Sequence, residues 1–137
     1  MIEGGPGGQF SASGTFESAI YDTQAQMGLP QAAFNRFSAA VIKQEQTTIK
    51  LQLAVASPVG GSCNNAIFNY VGPNGVGGTG SDAYFYPVEN IISGKIPLGT
   101  YGSYQNPNRC FRYKVYFDTG NIIQSPILKD FNVNISP

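Results

Sequence analysis

Histidine and tryptophan are absent from this 137-residue sequence, and cysteine occurs only as Cys63 and Cys110. Without histidine there is no Ser-His-Asp or Cys-His catalysis, no His-ligated zinc and no general base of the usual kind near neutral pH. Two thiols cannot supply a four-thiolate zinc site. Charge is equally scarce. Eight Lys and Arg balance eight Asp and Glu in a chain that is 12% charged, so the basic excess by which proteins meet a nucleic-acid backbone is missing. No apolar run approaches the roughly 18–20 residues of a membrane-spanning helix, and no signal-peptide pattern is present. The acidic residues Glu17, Asp22, Glu45, Asp82, Glu89, Asp118 and Asp130 stand singly, and carboxylate-pair hydrolysis needs two that act together. The expectation is a protein that is not an enzyme and carries no cofactor and no metal.

What is present is glycine (17), proline (9), tyrosine (8) and abundant Asn and Ser, a composition typical of extracellular β-rich domains. Residues 1–9 read as a Gly-rich linker, the trimmed beginning of a longer protein. Residues 10–137 read as one domain, long enough for a single core. The domain is expected to close on its last strand, with no tail for another module.

Alternation marks the strands. TTIKLQLAVAS (47–57) places Ile49, Leu51, Leu53 and Val55 inward and Lys50, Gln52, Ala54 and Ala56 outward. RCFRYKVYF (109–117) places Phe111, Tyr113, Val115 and Phe117 on a core face, and Cys110, Arg112, Lys114 and Tyr116 on a face expected to be solvated. Further strands are expected at TFESAIYD (15–22, with Phe16, Ser18 and Ile20 on one face), FNRFSAAVI (34–42), IFNYVG (67–72), AYFYPV (83–88), a short piece at KIPL (95–98), and ILKDFNVNIS (127–136), where Ile127, Phe131, Val133 and Ile135 share a face. TQAQMGLPQAA (23–33) reads as a long loop. No stretch has helical spacing. About eight short strands divided by Gly, Pro and Asn turns predict an all-β fold, a two-sheet antiparallel β-sandwich of jelly-roll type.

Three motifs have plainer readings than the chemistry they suggest. GPNGVGGTG lacks the following helix that a phosphate-binding loop requires, so it reads as a turn and loop tip. Asp82 and Asp118 lack the run of ligands of a calcium loop and read as turn residues; Glu17 and Asp130 would approach each other only if the first and last strands paired. An exterior position for Cys110 is unusual for a free thiol, which tends to be buried. The favoured reading is a Cys63–Cys110 disulfide pinning the GSCNN loop to the start of a strand; the alternative is two reduced cysteines in a cytosolic protein.

In order along the chain, GTFESAIYDT, AFNRFS, TIKLQLAVAS, IFNYVGPNG, IPL, CFRYKVYF and SPILKDFNVNISP resemble a bacterial extracellular β-sandwich module found in C-terminal head domains of pilin-like (prepilin-type) surface proteins. The likeness covers about residues 10–137 and brings no catalytic residue. It implies an upstream hydrophobic helix in the full-length protein, a head that itself makes no membrane contact, and an extracellular place on a cell-surface appendage. It implies a structural and adhesive role in a type IV pilus-like filament, with other filament subunits or surface glycans as partners and no nucleic acid. A carbohydrate-binding module of a secreted or cell-wall protein is the alternative. Tyrosine with neighbouring Asn and Ser suits either contact, and the two excursions 72–82 and 100–109 are where recognition is expected. The candidate binding residues are Tyr101 and Tyr104, both expected exposed, with Asn106 and with Arg109 at the loop base. Tyr84 and Tyr86 are left open between core and surface.

Overall fold

A computed structural model describes residues 13–42, 46–119 and 127–137. The Gly-rich start and Glu45 lie outside the described residues. Among the described residues, nine strands and one short α-helix follow in order, with 3-10 turns at Cys63–Asn65 and Ser81–Ala83: β1 (Ser13–Glu17), β2 (Tyr21–Asp22), α1 (Thr23–Met27), β3 (Ala33–Ile42), β4 (Thr47–Ala56), β5 (Ile91–Lys95), β6 (Gly99–Tyr101), β7 (Tyr104–Asn106), β8 (Cys110–Thr119) and β9 (Ile127–Ser136).

Every pairing is antiparallel. β8 is the centre of one sheet, with β4 along one edge and β1 and β2 sharing the other. β3 is the centre of a second sheet, between β5 and β9, and β6 and β7 form a separate hairpin. The fold is therefore an all-β antiparallel sandwich. Its core lies between the two larger sheets, where Phe34, Phe37, Ala39 and Val41 of β3 meet Ile49, Leu51, Leu53 and Val55 of β4 and Phe111, Val115 and Phe117 of β8. Aromatic rings make the crossing: Phe34 stacks on Phe111 at 4.9 Å between centroids and Tyr113 on Phe131 at 3.9 Å, while Phe37 stacks on Phe131 within its own sheet at 5.5 Å. With no tryptophan available, these rings provide the large buried surfaces.

The four longest strands lie where alternation places them. Shorter elements depart from it for local reasons. The first strand is broken at residues 18–20 into β1 and β2, because Ser18 is buried and bonded across to β8: its N–H donates to the Tyr113 carbonyl at 2.9 Å and its Oγ accepts from the Tyr113 N–H at 3.0 Å. The break changes the face. Phe16 remains 39% exposed, whereas Ile20 packs with the two cysteines on the other side of the sheet. Part of the expected loop after it is α1, started by Asp22, whose Oδ1 accepts from the Gln24 N–H at 2.9 Å, and ended by Gly28 at φ 69°.

IFNYVG and AYFYPV are not strands. Each touches the free edge of β4 at one point, Val71 against Leu53 and Phe85 against Leu51, and Pro73 and Pro87 lack the N–H a continuing ladder needs. The KIPL piece is preceded by β5, which ends at Lys95. In β9 a register shift sets Leu128 opposite Val41 and Asp130 opposite Ala40, so Leu128 joins Phe131, Val133 and Ile135 against the core; the side chain of Ile127 lies outside the described part.

Candidate functional site

The outer face of β4 and β8, expected to be solvated, is covered by the chain between residues 66 and 86. Gln52, Ala54 and Ala56 are all buried. Gln52 is the tie: its Nε2 donates to the carbonyls of Ala83 at 2.8 Å and Gly78 at 3.2 Å, while its Oε1 accepts from the Tyr116 hydroxyl at 2.6 Å. Sequence reading placed Gln52 in solvent because a polar residue in a strand marks the less apolar face, which says nothing of what lies over it. On the same face Tyr84 is buried, edge-on to Tyr116 at 5.1 Å, with the Lys50 ammonium 4.0 Å above its ring. Tyr86 is exposed, its hydroxyl donating to the Ser81 carbonyl at 2.7 Å. Arg112 pairs with Glu17 at 3.5 Å and lies over Phe68, and Lys114 lies near the rings of Tyr70 and Tyr116. The basic-aromatic stripe is thus internally matched.

At one end of this face the two cysteines form a disulfide, with Cα atoms 5.6 Å apart. Cys110 starts β8 and Cys63 starts a 3-10 turn capped by Ser62, whose Oγ accepts from the Asn64 N–H at 3.0 Å. Cys110 does lie on the outer side of its strand, yet it is completely buried in a small cluster with Ala56, Ile20, Ala66 and Phe68.

The predicted binding residues divide into two groups. Tyr104, expected exposed, is fully buried, and its hydroxyl donates to the Pro97 carbonyl at 2.6 Å. Asn106 is buried as well: its Oδ1 accepts from the Phe34 N–H at 3.0 Å and its Nδ2 donates to the carbonyls of Phe34 at 2.8 Å and Pro97 at 2.9 Å. The excursion 100–109 is not a mobile loop, because its middle is the β6–β7 hairpin, which Asn106 ties to β3 at Phe34 and both side chains tie to the Pro97 carbonyl; a cis bond joins Asn106 to Pro107. Arg109 is also engaged, with its guanidinium bidentate on Asp22 at 2.8 and 3.0 Å. That hydrogen-bonded guanidinium holds the Asp22 carboxyl below its usual range. Asp22 therefore both caps α1 and fastens the hairpin's exit.

Tyr101 alone among the hairpin's candidates reaches the surface, at 37% exposure. Its ring lies so close over Gly75 that a Cβ there would stand 2.7 Å from the ring carbons. Gly75 also has φ 78°, a conformation other residues rarely adopt. The Asn69 amide donates to the Tyr101 carbonyl at 2.8 Å. The two excursions do meet, at Gly75 and Tyr101.

Among the described residues no group of three or more His, Cys, Asp or Glu could hold a metal ion. Glu17 and Asp130 are not brought together by strand pairing, because β1 belongs to the β8 sheet and β9 to the β3 sheet. Four tyrosines, Tyr70, Tyr104, Tyr113 and Tyr116, have hydroxyls pushed above their ordinary value of 10.0, in each case chiefly by burial and for Tyr70 also by its hydrogen bond to Glu17. Tyr116 is raised to about 12. A raised folded-state value stabilises the fold below the unfolded value, and that contribution is lost as pH climbs through the folded one. Alkaline titration should therefore show these phenolates emerging together with loss of near-UV circular dichroism above pH 10.0, towards 12. Their ionisation near pH 10.0 with a native spectrum would show that they are solvated.

The class these features define is an all-β, disulfide-bonded antiparallel sandwich domain. A disulfide accords with an oxidising compartment, and among the described residues no helix is long and apolar enough to cross a membrane. No family model, curated protein or solved structure matches the chain.

Proposed function

We propose that the chain is a non-enzymatic extracellular head domain of a type IV pilus-like filament subunit, with a structural and adhesive role. The observation that carries this reading is the junction of Tyr101 with Gly75. Two loops from separate parts of the chain are held against each other, and a tyrosine ring is presented at their meeting point. Such a ring offers a large contact area at small entropic cost, on a scaffold that the disulfide and the Asp22–Arg109 pair make rigid. The carbohydrate-binding alternative draws on the exposed rings of Tyr86 and Tyr101, since a ring beside Asn and Ser also suits a sugar.

In the full-length subunit, Tyr101→Ala should shift the unfolding free energy by about 1 kcal/mol or less, as a half-exposed side chain, while weakening assembly or adhesion. Shortened filaments would assign the ring to subunit packing, and intact filaments that no longer adhere would assign it to adhesion. Filaments that assemble and adhere like the parent would sink the reading. The coding sequence upstream of Ile2 separates the two alternatives: a basic leader and a long apolar helix belong with the filament subunit, a catalytic domain with the binding module.

A further inference from the structure

The outer face of the β5-β3-β9 sheet is a grid laid out by strand register. Arg36 lies between Lys95 and Asn134, and Ser38 lies between Ser93 and Asn132. All six are exposed. An open groove of about 590 Å³ runs over Arg36, Ser38, Ser93, Asn132 and Asn134, within the size range of small-ligand sites. A second groove, of about 430 Å³, is also lined by Arg36, together with Lys95, Pro73, Pro97 and Leu98, and Leu98 is 60% exposed.

The two cations over this groove are unmatched among the described residues, while the Asp130 carboxylate farther along β9 accepts from the Asn132 amide. Arg109 and Arg112 pair with carboxylates, and Lys50 and Lys114 lie over tyrosine rings. Arg36 and Lys95 have no such partner among the described residues, although register sets them directly opposite each other. Like charges across a ladder are unfavourable, and an anion between them would reverse the sign of that interaction. One step along the strands, about 7 Å away by strand geometry, the Ser38 and Ser93 hydroxyls offer donors and acceptors suited to hydroxyl groups, and Asn132, whose Nδ2 donates to the Asp130 carboxylate at 3.2 Å, offers its Oδ1 as an acceptor. On the other side of Arg36 and Lys95, the exposed Pro73 and Leu98 offer an apolar surface. An anionic group flanked by hydroxyls and backed by C–H surface is the chemistry of a uronic acid residue.

We propose that this face binds an acidic glycan, a polysaccharide bearing uronate carboxylates. The carboxylate sits between Arg36 and Lys95, ring hydroxyls lie over Ser38, Ser93 and Asn132, and ring C–H groups lie against Pro73 and Leu98. A nucleic acid is disfavoured by the zero net charge of the chain and by a sheet face without aromatic rings for base stacking. The site rests on the adhesive part of the proposed function and gives it a ligand class. Repetition of a shallow site along a filament would raise weak single contacts by avidity.

The test is affinity electrophoresis of the 137-residue chain in gels containing alginate, dextran or polyglutamate. Retardation by alginate and not by dextran is expected, weakening as salt rises from roughly 50 to 300 mM. The double variant Arg36→Gln, Lys95→Gln should lose roughly tenfold in affinity, as befits two charge-assisted contacts, with an unfolding midpoint no lower than the parent's, since a like-charge pair is removed. Arg36→Lys should retain part of the binding. Absence of alginate binding, or equal retardation of parent and double variant, overturns the site. Retardation by polyglutamate as strong as by alginate overturns the glycan and leaves an acidic peptide chain in its place. Adhesion of filaments carrying the Arg36 and Lys95 changes, lost instead on Tyr101→Ala, overturns this site while sparing the adhesive reading. Filaments that adhere to nothing in any form overturn both.

Discussion

Tyr104→Ala is expected to lower the stability of the domain by about 3–5 kcal/mol, the range for truncating a large buried aromatic. Among the described residues Tyr104 is the largest fully buried side chain, and it sits in the β7 strand of the hairpin, where its ring lies 5.9 Å from that of Tyr101 between centroids. Against a total stability of about 5–15 kcal/mol for a single domain, such a loss is severe. It should lower the thermal midpoint by on the order of 10–20 °C. Tyr104→Phe keeps the ring and removes the hydroxyl. Its cost should be only about 0.5–1.5 kcal/mol, because the Pro97 carbonyl still accepts from Asn106 Nδ2. Denaturant titration of the two variants beside Tyr101→Ala checks the assignment. Equal costs at Tyr101 and Tyr104 would show that the hairpin does not bury one ring and present the other.

Removing the disulfide through Cys63→Ala with Cys110→Ala should cost about 4 kcal/mol in the chain-entropy model, the closed loop having a sequence separation of 47. The loop contains the whole covering segment 66–86 and the β6–β7 hairpin, so the loss falls on the parts that form the Tyr101–Gly75 junction. Both sulfur-bearing residues are buried, Cys110 completely. Reduction by a soluble thiol should therefore be slow in native conditions and accelerate in denaturant, as the bond becomes accessible. Intact mass after alkylation should show no free thiol without reductant and two with it. A double variant as stable as the parent would mean that packing alone holds the covering segment in place.

The long strands were legible because period-two alternation is written locally. Residues 34–42, 47–57 and 127–136 each carry an apolar row that only one extended orientation can bury, and β3, β4 and β9 occupy them. The helix at 23–27 was not legible as one and read as part of a loop, because five residues are too few to show helical periodicity; Asp22 before it and Gly28 after it are the start and stop signals that mark it. Nor was the hairpin legible. Its strands have three residues each, Gly99 and Gly102 punctuate it, and its one strong signal, Tyr104, has the same composition cues as an exposed recognition tyrosine.

The sequence by itself determined the all-β class, the inward rows of β4 and β8, and the one possible intramolecular partner of each thiol. Each depends on neighbours along the chain or on there being a single possible partner. Only the tertiary structure decided which polar residues face water. Gln52 is buried because Ala83 and Gly78 come from some thirty residues away to accept its amide protons. Asn106 and Tyr104 are buried because Phe34 and Pro97 present carbonyls to them. Arg109 is spent on Asp22, 87 residues distant. A polar side chain can be solvated by water or by backbone at similar free energy, so its identity leaves the choice open, and the choice is made by whichever distant segment packs over it.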